Sequence, residues 1–228
     1  MNLAALIAES RRRLDDRAAV GNLWTDGDLT GFINDAEREA TERAFLIRDD
    51  YTSSICQLDR VDGQREYVLD PRVIDVITAR VRGARDPLTR QATWDDCYRP
   101  GYAGVPCRYA VISRGDTLVL QLDREAPDPT MYPTGTYDPH IDLAVFRRPL
   151  VPMESPDDDS PEIGSQYHMS LIHWVQFLAY STRDSDIGDD EKATANEARF
   201  ELAFGAKIDA NVKRKQLQHR PTVCRPIF

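Results

Sequence analysis

Residues Pro161 to Arg183 read PEIGSQYHMSLIHWVQFLAYSTR, and their pattern decides the architecture. Tyr167, Leu171, Trp174 and Leu178 recur at spacings of four, three and four, which puts them on one helical face. Ile172, Val175 and Phe177 carry apolar surface well round the cylinder. A helix apolar over most of its circumference is buried on several sides. The stretch is therefore predicted as the central helix of an α-helical domain whose other members come from both ends of the chain. Ser160 followed by Pro161 starts it with a cap residue and then proline, the favoured order.

Working outward, Asn2 can cap a first helix through Leu3, Leu6, Ile7 and Leu14, which stops near Gly21. Thr25 or Asp26 caps a second, with Leu29, Phe32, Ile33, Ala36, Ala40 and Ala44 as its buried stripe. After the central helix, Asp189 or Asp190 caps a fourth helix. Ala195, Ala198, Leu202 and Ala203 are predicted to face inward, with Phe200 and Phe204 beside them. The predicted helical core is Leu29, Phe32, Ile33, Tyr167, Leu171, Trp174, Leu178 and Leu202.

From Tyr51 the hydrophobic period changes to two. YTSSICQL alternates and is rich in β-formers, Asp62 and Gly63 signal a turn, and REYVL resumes the extended pattern. RVIDVITARVR, from Arg72 to Arg82, reads as a half-buried strand with a slip at Ile77, which predicts a bulge. CRYAVI and TLVLQL pair across a turn at Gly115, and HIDLAVFRR is a further strand. The expected fold is thus α+β: an antiparallel four-helix-bundle-like domain (1–50 and 154–205), an inserted antiparallel β module (51–153), and an extended tail (206–228). The acidic stretch VPMESPDDDSPE is expected to be a linker between the first two.

The 228 residues are 41% hydrophobic and carry a net charge of -9, which argues against a general nucleic-acid binder. The charge is uneven. From Gly205 to Phe228, six basic residues stand against Asp209 alone, a balance of +5 that leaves -14 for the preceding chain. A basic tail on an acidic body is suited to an acidic protein surface. Its last residues, Pro226, Ile227 and Phe228, add an apolar anchor.

Signatures of chemistry are missing. There is no P-loop, no GxGxxG after a strand, no GxSxG and no HExxH. Cys56, Cys97, Cys107 and Cys224 form no CxxC pair, so scattered thiols are expected, with no metal and no cofactor. His168 and His173, five apart on one helix, lie about 140° round it and cannot share a metal ion. Consecutive Asp157, Asp158 and Asp159 read as a solvated loop. No apolar run approaches the ~20 residues that span a bilayer. A soluble chain made in a reducing host cytoplasm is expected.

The N-terminal MNLAALIAESRRRLDD helix, LWTDGDLTGFINDAEREATERA, a β module containing GVPCRY, YHMSLIHWVQFLAY and ARFELAFGAKI together resemble the head-to-tail adaptor proteins of tailed bacteriophages. The likeness is greatest to the tail-tubular or neck adaptors beneath the portal. It implies a non-enzymatic structural virion protein that forms a homo-oligomeric ring of twelve at the head-tail junction. It also implies portal protein above, other tail or neck proteins below, and DNA passing through the lumen without specific binding. Under that resemblance Lys213, Arg214, Lys215, Arg220, Ile227 and Phe228 are the portal-docking candidates, and the β module faces the next tail component. Alternatives are a tail-completion or tail-terminator ring lower in the neck, a small hydrolase using Asp95, Asp96 or His140, and a nucleic-acid-binding module.

Overall fold

The computed structural model describes residues 1–16, 22–61, 63–82, 86–91, 104–115, 117–125, 140–182 and 189–207. They form two compact units, Met1–Ile47 with Arg148–Lys207, and Arg48–Arg147.

The first unit holds α1 (Leu3–Leu14), α2 (Asp26–Ala44), α4 (His168–Tyr180) and α5 (Asp190–Phe204). Each begins for a local reason. Asn2 accepts from the amide of Ala5 at α1, and Thr25 and Asp28 form a reciprocal capping box at α2. Asp189 accepts from the amide of Lys192 at α5, while α4 grows out of a 3-10 turn at Ser165–Tyr167. Helix α4 lies among α1, α2 and α5, and Leu171, Ile172, Trp174 and Val175 are all buried. Ala36 and Ala40 of α2 are fully buried, small enough to leave room for a close approach.

The same core is closed by residues outside any helix. Met153 and Ile163 belong to it, and both lie on the segment that returns from the β unit. Helix α2 holds this return segment by a polar ridge. The Asn34 side chain donates to the Met153 carbonyl at 3.0 Å and accepts from its amide at 2.9 Å. Buried Glu37 accepts from the amides of Glu162 (2.5 Å) and Ile163 (3.3 Å), and Arg148 donates to Glu42 at 2.7 Å. The acidic run is no loose linker. The Asp159 carboxylate accepts from the amides of Glu154 and Ser155 at 2.7 Å each. The carbonyls of Pro156 and Asp159 accept the first-turn amides of α1, at Ala4 and Leu3, at 2.8 Å.

The expected four-helix-bundle-like domain is therefore corrected. The described residues make a mixed α+β fold with five helices and two sheets. The four helices of this unit run to 12, 19, 13 and 15 residues, too short and unequal for bundle layers, and the return segment fills a side that a bundle would close with helix. Among the predicted core residues, Leu29, Ile33, Leu171 and Trp174 are buried, and Phe32, Tyr167 and Leu178 are partly buried against them. Leu202 is 90% exposed, which overturns its placement. The inner face of α5 is Ala193, Asn196, Phe200 and Phe204, at spacings of three, four and four. Leu202, two residues on from Phe200, points away, and Ala195, Ala198 and Ala203 are exposed with it.

The second unit holds β1 (Arg48–Asp49), α3 (Ser53–Cys56), β2 (Gln57–Asp59), β3 (Glu66–Val68), β4 (Val73–Val81), β5 (Thr89–Arg90), β6 (Arg108–Arg114), β7 (Thr117–Leu122) and β8 (His140–Arg147). In one sheet β8 is central, with β4 on one side and β1 and β2 on the other, all antiparallel. The other sheet runs β3-β7-β6-β5, antiparallel except for the parallel pair β5 and β6. The β unit thus contains two sheets, a division on which the sequence pattern is silent. YTSSICQL is not one strand either, since residues 53–56 coil into a helical turn before β2.

Strand β4 carries two register shifts, between Val73 and Asp75 and between Val76 and Thr78. There, buried Asp75 receives Arg90 at 2.8 Å while Arg90 also donates to the Val76 carbonyl at 2.7 Å, so β4 is joined to β5. At the start of the unit, Arg147 donates to Asp49 at 2.5 Å, both side chains almost wholly buried. Asp49 also accepts from the amides of Tyr51 and Thr52 at 3.0 Å. Burial works against its charge, but the Thr52 bonds, Arg147 and the Tyr51 amide hold its carboxyl well below the usual carboxylate range.

Candidate interaction surfaces

The docking candidates Lys213, Arg214, Lys215, Arg220, Ile227 and Phe228 lie outside the described residues, as do Trp94, Asp95, Asp96, Cys97, Cys224 and His219. The described chain does fix the point from which the basic segment departs. Helix α5 ends with Phe204 buried, and Gly205 at φ +87° turns the chain out of the helix. That angle is one that side-chain-bearing residues rarely adopt. The Gly205 carbonyl accepts from Arg43 Nη1 of α2 at 3.3 Å. Lys207 Nζ then lies 3.3 Å from Glu39 Oε1, the same oxygen that accepts from Arg43 Nε at 2.9 Å.

Arg43 is a buried cation whose surroundings suit it. Its guanidinium carbon lies 4.9 Å from the Trp174 ring centroid and 5.2 Å from that of Phe200. Those rings belong to a run of aromatic contacts, Trp174 to Phe200 at 4.8 Å, Phe200 to Phe204 at 4.6 Å and Phe204 to Tyr167 at 5.8 Å. The electron-rich faces of the rings and the Glu39 carboxylate balance the charge in a site that water barely reaches. Sequence reasoning missed this residue. Its spacing of four from Glu39 is the visible signal, but that spacing normally marks a surface pair.

Among the described residues the titratable groups do not converge on a reaction centre. His168 is buried, with Nδ1 facing the Met1 amine at 2.9 Å and Nε2 facing the Ile163 carbonyl at 3.0 Å. His173 is half-buried on another face of α4, and burial draws its pKa down. His140, one of the alternatives for a hydrolase, meets Asp59, its β2–β8 register partner, at 2.6 Å. Burial, then the neighbouring Asp49 charge, pushes the Cys56 thiol up to about 12, so it is a poor nucleophile. Among the described residues no three His, Cys, Asp or Glu side chains stand close enough to hold a metal ion. No helix among them is long and apolar enough to cross a membrane.

What the surface offers is contact area. Leu202 and Val151 of the helical unit are exposed, as are Tyr51, Val61 and Val68 of the β unit. The chain belongs to the SU10 adaptor protein family, whose profile matches residues 1–223. No curated protein matches it. Membership makes it a structural adaptor of a bacteriophage virion that associates with other head or tail proteins; the family is not one of enzymes.

Proposed function

We propose that the protein is a head-to-tail adaptor, assembling as a ring of twelve beneath the portal and connecting the capsid to the tail. Membership of the adaptor family over nearly the whole chain is the observation that carries this reading. Residues 206–228 are its docking segment. Lys213, Arg214, Lys215 and Arg220 meet an acidic portal surface, while Ile227 and Phe228 enter an apolar recess. The β unit faces the next tail component. The body, at -14 without its terminal segment, forms a channel wall whose carboxylates repel phosphate and keep DNA sliding.

Deleting Lys213 to Phe228 should leave a folded chain that no longer associates with the portal. A truncated chain that binds portal with unchanged affinity would sink the docking role. Pull-downs against portal and against tail tube separate this placement from a ring lower in the neck, which would retain tail tube instead.

A further inference from the structure

We propose that Arg43 is a positioning residue for the C-terminal segment, clamping its point of departure so that it leaves α5 in one direction. The inference rests on the reading of residues 206–228 as a docking segment and adds how that segment is presented.

Five observations carry it. Phe204 is buried, so the last turn of α5 cannot swing. Gly205 at φ +87° turns the backbone out of the helix. Its carbonyl is one that a helix end leaves without an internal partner, and Arg43 of α2 supplies the donor at 3.3 Å. Lys207 is then drawn to Glu39, which Arg43 also holds, so two successive points of the exit are tied to α2. Arg43 itself is fixed between Trp174, Phe200 and Glu39, with its side chain only 2% exposed.

A purely structural cation in this position would need only the rings and Glu39. Its Nη1 reaches past them to the main chain of the exit, with the Glu201 carboxylate 3.8 Å away. The consequence lies in entropy. A segment that starts from a fixed point and direction is offered to its partner at high effective concentration, and less freedom is lost when it docks. Releasing the start lowers affinity without removing any contact made by the segment itself.

The test measures binding to the phage's own portal ring for the full chain, for Arg43→Met, for Lys207→Ala and for the chain lacking Lys213 to Phe228. A synthetic peptide of residues 206–228 supplied in trans is the reference. Arg43→Met keeps the packing volume and removes the donors, and is measured well below its melting temperature. Lys207→Ala changes an exposed side chain and leaves the fold alone. The clamp predicts about a tenfold loss of portal affinity for Arg43→Met and a loss of about two- to threefold for Lys207→Ala. The peptide's own affinity is common to both, so the loss appears as a smaller advantage of chain over peptide. Wild-type affinity in both variants, with binding abolished by the deletion, overturns the clamp and leaves the docking segment standing. Wild-type affinity in the deleted chain removes the docking segment and the clamp together.

Discussion

Buried Asp49 of the β unit and buried Glu37 of the helical unit are held under opposite rules. In the β unit, Asp49 and Asp75 each face an arginine, Arg147 and Arg90. In the helical unit, Glu37 faces two backbone amides, and the charge that acts on it is that of another acid, Glu162. Desolvation therefore prevails at Glu37 and pushes its pKa up to about 7, with the amides of Ile163 and Glu162 opposing the rise and the Glu162 charge adding to it. Despite burial, Asp49 keeps its charge because the Thr52 side chain and amide, then Arg147 and the Tyr51 amide, all favour it, whereas Glu37 has two main-chain amides alone. The Asp49 site thus depends on bonds that acid disrupts, the Glu37 site on a contact that alkali loads with an unpaired charge.

The largest effect that sharpens this contrast is expected at Arg147. Arg147→Ala leaves Asp49 charged and unpaired in a dry site, at a cost of about 3–5 kcal/mol, and should unfold the β unit. Chemical denaturation followed by hydrogen exchange in β8 would show it, and unchanged protection there would break the comparison.

Next comes pH. The folded chain binds the Glu37 proton more tightly than the unfolded chain does. This group's contribution is complete below about pH 4.5 and is lost as pH rises through about 7, roughly 2–3 kcal/mol in all. Asp49 runs the other way, its contribution present above the ordinary aspartate value of 3.8 and lost as pH falls through its depressed value. His168, which faces the Ile163 carbonyl from α4, and the Met1 amine beside its other nitrogen are further titratable groups at this contact. Protection factors at Glu162 and Ile163, with the base-catalysed rise in intrinsic exchange divided out, should fall between pH 6 and 8 in the wild type and stay flat in Glu37→Gln. An identical slope in the variant would assign the effect to other groups.

A smaller loss is expected at Asn34. Its two bonds to Met153 pin the return segment, and Asn34→Ala should cost about 1–2 kcal/mol and loosen residues 150–155 without touching β8. The smallest effect belongs to Leu202. Because it is 90% exposed, Leu202→Ser should change stability by less than about 0.5 kcal/mol. A loss of 2 kcal/mol in the isolated chain would restore the inward orientation that the sequence implies.

The contrast also marks what can be read from sequence. Leu29, Ile33, Leu171 and Trp174 announce themselves because large apolar side chains at helical spacing have few alternatives to burial. Helix α5 does not, since alanines at 193, 195, 198 and 203 lie all round it and give no direction. Phe200 and Phe204 set its face, with Asn196 completing it against the apolar pattern. The bundle expectation fails for a related reason. Met153 and Ile163 look like isolated apolar residues in an acidic stretch, and only the bonds to Asn34 and Glu37 bring them into the core. Buried charges are the least legible of all, because Arg43, Arg147 and Asp49 have the residue types of a surface and become interior by pairing across up to 98 residues. On the functional side, the charge contrast and the family pattern are legible, whereas the Arg43 contact with Gly205 depends on tertiary geometry.

The adaptor placement is tested most directly by particle averaging of the chain assembled with its portal. A ring of twelve copies beneath the portal, with residues 208–228 of each copy lying against portal subunits, is the predicted result. A ring bound to tail tube alone, or portal contact made with those residues directed away from it, would contradict it.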